Sequence, residues 1–186
     1  MPSPAQYNVG MIDAPEVCID SNCLTYVIEA AGGAPVPAGS LADQKVALFR
    51  LYLYLPGTLW VTPTVKKESL EMEDRELRTL HLVFLNVNFD MRRGLDESAV
   101  GSRCQELEVF HPKRQDCLVL AEAEQARHAV LLSYDTKFVK RLKQHANLRL
   151  DTPKAYWDSL GIPRGAKPNK APHPSNPRAG ETWWVW

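Results

Sequence analysis

The sequence predicts a three-layer α/β fold with a central parallel sheet flanked by helices. Two observations lead there. Short strand-like runs recur at residues 17–19, 58–61, 129–133 and 147–150. The first, Val17-Cys18-Ile19, is β-prone and apolar on both faces, as is a strand of a parallel sheet buried on both sides. Each run is also followed by a helix-start signal and a helical pattern, and strands alternating with helices make βαβ units.

The first run, Val17-Cys18-Ile19, meets Asp20 and then Ser21-Asn22. Ser21 or Asn22 can cap a helix whose apolar stripe is Leu24, Tyr26, Val27 and Ile28. Asp20 then stands where a central strand ends and a helix begins, the edge at which open α/β sheets bind ligands. A Gly/Pro/Ala loop fills 32–40. Residues 41–55 read as a helix on Leu48, Leu51 and Tyr52, stopped by Pro56-Gly57.

The second strand, 58–61, runs into Thr62-Pro63, an N-cap with Pro in the first helical turn. That helix carries Val65, Glu68, Leu70 and Met72, with Glu68 about two turns in. Helices follow over 73–85 and 95–110, and 86–89 reads as strand or loop. After the basic turn at 111–115, Asp116 opens an apolar helix through Ala126. Strand 129–133 leads to Asp135 and to a helix with Phe138, Val139 and Leu142. A last strand, 147–150, and a last helix, 153–160, complete a domain of residues 16–160. Residues 1–15 read as a flexible N-terminal segment. Residues 161–186 read as a Pro-rich extended tail that ends in a Trp cluster, Trp183-Trp184-Val185-Trp186.

Composition excludes several classes. The chain is 45% hydrophobic over 186 residues, enough for a real core. Its 22 basic residues cancel its 22 acidic ones. A globally basic nucleic-acid binder is therefore excluded, and any such site must be local. The four cysteines form no CxxC pair, and no secretory signal or long apolar run is present. They read as reduced, buried thiols in a cytoplasmic protein with no membrane partner. The five histidines have no zinc-finger spacing.

The chemistry lies in four acids. Asp20 and Asp135 follow strands, Asp116 begins a helix, and Glu68 lies in the helix after the second strand. Strand ends and the helix starts after them share one edge of such a sheet, so the four carboxylates should converge there. Taken singly, each has a plain structural reading as a helix cap or solvated surface. Taken together they would repel one another and raise their own pKa values. A divalent cation resolves that repulsion, and oxygen-only ligands favour Mg2+ or Mn2+. Such a site beside basic residues suits phosphodiester hydrolysis by metal-activated water.

Four segments resemble the conserved blocks of PIN-domain nucleases. They are Val-Cys-Ile-Asp-Ser-Asn-Cys-Leu from Val17, Thr-Pro-Thr-Val-Lys-Lys-Glu from Thr62, Asp-Cys-Leu-Val-Leu-Ala-Glu-Ala from Asp116 and Leu-Leu-Ser-Tyr-Asp-Thr-Lys-Phe from Leu131. They stand in the family's order over about residues 16–150. The resemblance implies a PIN-like fold and a metal-dependent endoribonuclease with Asp20, Glu68, Asp116 and Asp135 as catalytic and metal-holding residues. Asn22 and Ser133 match supporting polar positions. The chain departs from the pattern in its long span between Glu68 and Asp116 and in its Trp-ended tail. Glu122 and Glu124 lie about 120° and 80° round the helix from Asp116 and are left out of the metal set.

Lys66, Lys67, Lys113, Arg114 and Lys137 flank the blocks and are candidates for binding substrate phosphates, or simply a soluble surface. Lys140 and Arg141 lie beside them. The leading expectation is an enzyme acting on an RNA substrate, as the toxin of a toxin–antitoxin pair with an antitoxin partner, or as an RNA-processing enzyme. Self-association into a homo-oligomer is compatible with it. The alternative is a PIN-like RNA-binding or scaffold protein that has lost turnover, and a third reading is a structure-specific DNA nuclease. The tail's tryptophans are expected to dock on protein, own chain or partner, rather than stack on RNA.

Overall fold

A computed structural model describes residues 15–176 and 179–186. The flexible segment expected at 1–15 lies outside the described residues except for Pro15, as do Pro177 and Arg178 of the tail. The chain runs β1 (Val17–Ile19), α1 (Ser21–Ala31), α2 (Ala42–Tyr54), β2 (Leu59–Trp60), α3 (Pro63–Leu70), α4 (Arg75–Asn88) and β3 (Phe89–Asp90). It continues through α5 (Glu97–Glu108), α6 (Arg114–Gln125), β4 (Val130–Leu132), α7 (Thr136–Leu142), β5 (Arg149–Asp151) and α8 (Pro153–Ser159).

The five strands form one sheet in the order β3-β2-β1-β4-β5, and every pairing is parallel. This is the expected α/β architecture. β1 is central because its three residues are apolar on both faces and all are buried. Its register sets Cys18 against Leu131 on one side and Trp60 on the other. Helices cover the sheet so that its strands need no polar face. α2 packs on α1 and α8, α3 on α4 and α6, and α5 on α6.

Local sequence explains most boundaries, with four differences. Asp20 itself caps α1, rather than Ser21 or Asn22, because its Oδ1 accepts the Cys23 N–H at 2.8 Å. α3 ends at Leu70, so Glu68 lies in its last turn; the chain then breaks before Asp74 caps α4. The ambiguous segment 86–89 completes α4, and its Phe89 opens the edge strand β3 against β2. α6 begins at Arg114, two residues before Asp116.

Cys18, Cys23, Cys104 and Cys117 are all buried and free. Among the described residues, no helix is long and apolar enough to cross a membrane. The tail docks on its own domain. Trp183 stacks on Phe49 of α2 with centroids 5.3 Å apart, and Trp186 meets Trp157 of α8 edge-on at 5.5 Å. Arg50 donates to the backbone carbonyls of Trp184 at 3.1 Å and Val185 at 2.9 Å. The Trp186 indole N–H donates to the Ile162 carbonyl at 2.6 Å. Large aromatic surfaces find cover on α2 and α8, which is why a Pro-rich spacer with little apolar content still takes a fixed path.

Candidate functional site

The carboxyl edge of the sheet carries the acids. β1 delivers Asp20, α3 delivers Glu68 and the first turn of α6 delivers Asp116, and all three line one cavity of about 150 Å³ together with Ser21 and Asn22. Each carboxylate has its own donor. Asp20 accepts the Cys23 N–H and the Ser133 hydroxyl. Glu68 accepts the Ser21 hydroxyl. Asp116 lies 2.7 Å from the buried His111 Nε2.

Asp135 stands beside this cavity rather than in it. Its Oδ1 caps α7 through the Lys137 and Phe138 N–H groups at 2.8 and 3.0 Å. Its Oδ2 faces the Lys113 ammonium at 2.9 Å. Lys113 also reaches Asp116 at 3.7 Å and so spans the two carboxylates. Ser133 ties the set together from below. Fully buried, it donates to Asp20 and accepts the Asp135 N–H at 3.0 Å.

The electrostatics follow this layout. Burial pushes the Asp20 carboxyl above its ordinary range against the hydrogen bonds from Ser133 and Cys23, and the charge on Asp116 adds to the rise. Glu68 is raised by burial first, then by Asp116 and Asp20. Asp135 goes the other way. Burial raises it, but the Lys113 hydrogen bond and the two α7 N–H groups outweigh burial and hold it low. Two acids thus lack a cation while one has a lysine. Among the described residues, no three His, Cys, Asp or Glu side chains stand close enough to hold one ion jointly.

The flanking cations divide. Lys113 and Lys137 line a cavity with Arg141 and Asp135 next to the acids. Lys66 faces a different cavity, beside Asn86 and Arg93, and Lys67 pairs with Glu71 at 3.7 Å. Arg114 is tied to Glu108 at 3.0 Å. The two glutamates left out of the set have other partners. Glu122 is buried and accepts the Thr64 N–H and hydroxyl, both at 2.9 Å, which joins α6 to the start of α3. Glu124 pairs with Arg103 at 2.7 Å.

Sequence reasoning missed His111, which sat in a turn read only for its basic residues. The His-Pro pair ahead of an Asp-led helix was the available signal. It also passed over Asp151, another acid at a strand end, which is neutralised by Lys143 at 3.3 Å and Arg149 at 2.9 Å.

No protein-family profile and no curated protein sequence matches the chain. Solved structures similar to it include VapBC2 from Rickettsia felis bound to a DNA fragment from their promoter, at 14% identity and a TM-score of 0.46, covering 73% of this chain and 98% of that one. Another is FitAcB from Neisseria gonorrhoeae, at 12% identity and a TM-score of 0.47, covering 74% of this chain and 97% of that one. Likeness at this level carries no weight for function, which must be argued from the residues themselves.

Proposed function

We propose that the chain is a metal-dependent endoribonuclease of the PIN type that hydrolyses RNA phosphodiester bonds with Mg2+ or Mn2+. The observation that carries this reading is the meeting of Asp20, Glu68 and Asp116 from three separate elements around one small cavity. Asp20 and Glu68 are both held toward protonation by burial and by neighbouring negative charge. That is the electrostatic condition a divalent cation relieves. The donors are all carboxylate oxygens, which suits a hard cation. Asp20, Glu68 and Asp116 stand too far apart in the structure to share an ion; they would hold it after turning from the donors they now face, with Asp135 joining once Lys113 swings away. When bound, the ion would supply charge stabilisation to the phosphate and acidify a water.

The chain's own residues prepare the rest. Ser133 and the Cys23 N–H fix the Asp20 carboxylate, and His111 fixes Asp116. Asn22, exposed at the mouth, lines the acid cavity and is free to orient a substrate oxygen. Lys113, Lys137 and Arg141 supply positive charge beside the acids, where a polyanion needs it. The setting as toxin with an antitoxin partner follows from the sequence resemblance, and a small adjacent reading frame for a DNA-binding protein would support it.

The test is cleavage of a labelled RNA with and without Mg2+ or Mn2+, paired with Mn2+ titration calorimetry. Asp20→Asn keeps the side chain's shape and removes its charge. It should abolish both Mn2+ binding and cleavage while leaving the fold intact. Wild-type cleavage by Asp20→Asn under saturating Mn2+ would refute its role as a ligand. Metal binding without RNA cleavage in the wild type would favour the non-catalytic RNA-binding reading.

A further inference from the structure

The basic cavity beside the acids, of about 520 Å³, is a trough with two walls. Pro112 and Lys113 form one, and Lys137 and Arg141 of α7 form the other. Its lining sets three cations against the single carboxylate of Asp135, so its net charge suits an anion. The chain fixes the order along α7. Asp135 caps the helix at the acid end, Lys137 follows, and Arg141 lies one turn further on the same face. Lys140 stands beside Arg141. Lys137, Lys140 and Arg141 are exposed and form no ion pair among the described residues. α7 itself contains no acid. Acids near its far end are already neutralised, Asp151 by Lys143 and Arg149, and Glu124 by Arg103. The N–H groups at the start of α7 are taken by Asp135, so the free positive charge is that of side chains.

The far end of the trough carries an aromatic pair that the acid site does not use. His145 lies one turn beyond Arg141, and its N–H donates to the Leu142 carbonyl at 2.9 Å. Its ring stacks on Phe110, with centroids 3.6 Å apart and planes 11° from parallel. Phe110 immediately precedes His111, which also lines the trough. The stack covers one face of Phe110, yet the residue remains 46% exposed. Arg103 donates to the His145 carbonyl at 2.5 Å, so the pair is held in place before anything binds. An open aromatic face beside unpaired cations has the makeup of a single-strand contact, with charge for the backbone and a π-face for a base.

We propose that this trough carries a single RNA strand away from the acids, with Lys137, Lys140 and Arg141 taking backbone phosphates and Phe110 taking a base on its open face. The proposal rests on the ribonuclease reading above and adds to it the path of the strand and a base contact. At the helical rise, Asp135 and His145 are about 15 Å apart along α7. The base on Phe110 is therefore not one flanking the scissile bond but one further along the strand. Only an unstacked base can reach the ring, and stacking on it needs no particular base identity.

The experiment measures binding of a fluorescein-labelled 12-nucleotide RNA by anisotropy in EDTA, across a salt series, so that turnover plays no part. The double variant Lys140→Gln, Arg141→Gln should lower the log–log salt slope by about 1.4, two single-strand phosphate contacts at about 0.7 each. At 0.1 M salt that loss of counterion release weakens binding about 25-fold. Phe110→Ala should weaken binding roughly five- to 150-fold without changing the slope, and Phe110→Trp should restore it, since a larger π-face stands in the same place. On an RNA duplex of the same length, whose bases stay stacked, Phe110→Ala should have no effect. Thermal unfolding of all three variants should match the wild type. Unchanged affinity in Phe110→Ala would overturn the base platform and leave that ring as a contact for a protein. An unchanged slope in the double variant would overturn the phosphate path, and failure of the wild type to bind the RNA would overturn both. The two readings separate cleanly. A wild type that cleaves RNA with Mn2+, while these variants bind unchanged, refutes the trough alone. Binding that depends on these residues without cleavage in Mn2+ refutes the nuclease alone.

Discussion

Ser133→Ala is a sharp perturbation of the site because one buried hydroxyl serves two acids. Ser133 is 0% exposed, donates to Asp20 and accepts the Asp135 N–H at 3.0 Å. Removing the hydroxyl leaves a partly buried N–H without its acceptor, at about 1–3 kcal/mol. It also removes a hydrogen bond to a charged carboxylate, about 1.5–3 kcal/mol where that carboxylate is ionised. Because the two losses share one atom and solvent partly compensates, the expected destabilisation is about 2–4 kcal/mol near pH 7.5. The pH dependence gives the stronger test. Burial already raises Asp20 above its ordinary value of 3.8, and the Ser133 hydroxyl opposes that rise. A carboxyl with a raised folded pKa contributes stability that is fully present below the unfolded pKa and lost as pH rises through the folded one. The variant should raise the Asp20 pKa further. Its deficit relative to wild type should therefore be larger at pH 7.5 than near pH 4. Urea unfolding of the metal-free protein at both pH values is the assay. A deficit below about 0.5 kcal/mol, or one that grows toward acid, would refute the placement of Ser133 beneath Asp20.

Two further outcomes probe what frames the site. Glu122→Ala strands the Thr64 N–H and hydroxyl in a buried joint, so urea unfolding should show a loss of about 2–4 kcal/mol. Glu122→Gln, which can keep one of the two bonds, should lose about half as much. Trp186→Ala removes the edge-on contact with Trp157, the indole bond to Ile162 and the Arg164 contact 4.2 Å from the ring centroid. Adding typical values for those three interactions gives about 2–3 kcal/mol, with Mn2+-dependent cleavage of a short RNA unchanged. A truncation of residues 161–186 that unfolds like the wild type would show that the tail contributes no cover to α2 and α8.

Much of the frame was legible in the sequence, for reasons that are local. Val17-Cys18-Ile19 is apolar on both faces, so it must lie inside a sheet covered on both sides, and β1 does. Thr62-Pro63 and Thr152-Pro153 carry their cap chemistry in two residues, and both start helices where expected. Such signals depend on hydrogen bonds within three or four residues and on side-chain periodicity, which the sequence displays directly. The position of Asp20 at a strand end followed from the same arithmetic. What the sequence could not carry was the direction of each carboxylate. Asp135 and Asp116 lie 19 positions apart in sequence, yet Lys113 spans them, and Glu68 is reached by Ser21 from another element. His111 looked like part of a basic turn until the turn before α6 folded its ring against Asp116. The short edge strand β3 exists because β2 offers it an unpaired edge, and two residues have too little periodicity to announce that. The tail was ambiguous for a similar reason. Three tryptophans demand burial, but only α2 and α8, lying side by side, decide that their own domain provides it. Composition and periodicity therefore determined which elements form, while long-range packing decided which donor each acid meets, because those pairings join residues from different elements.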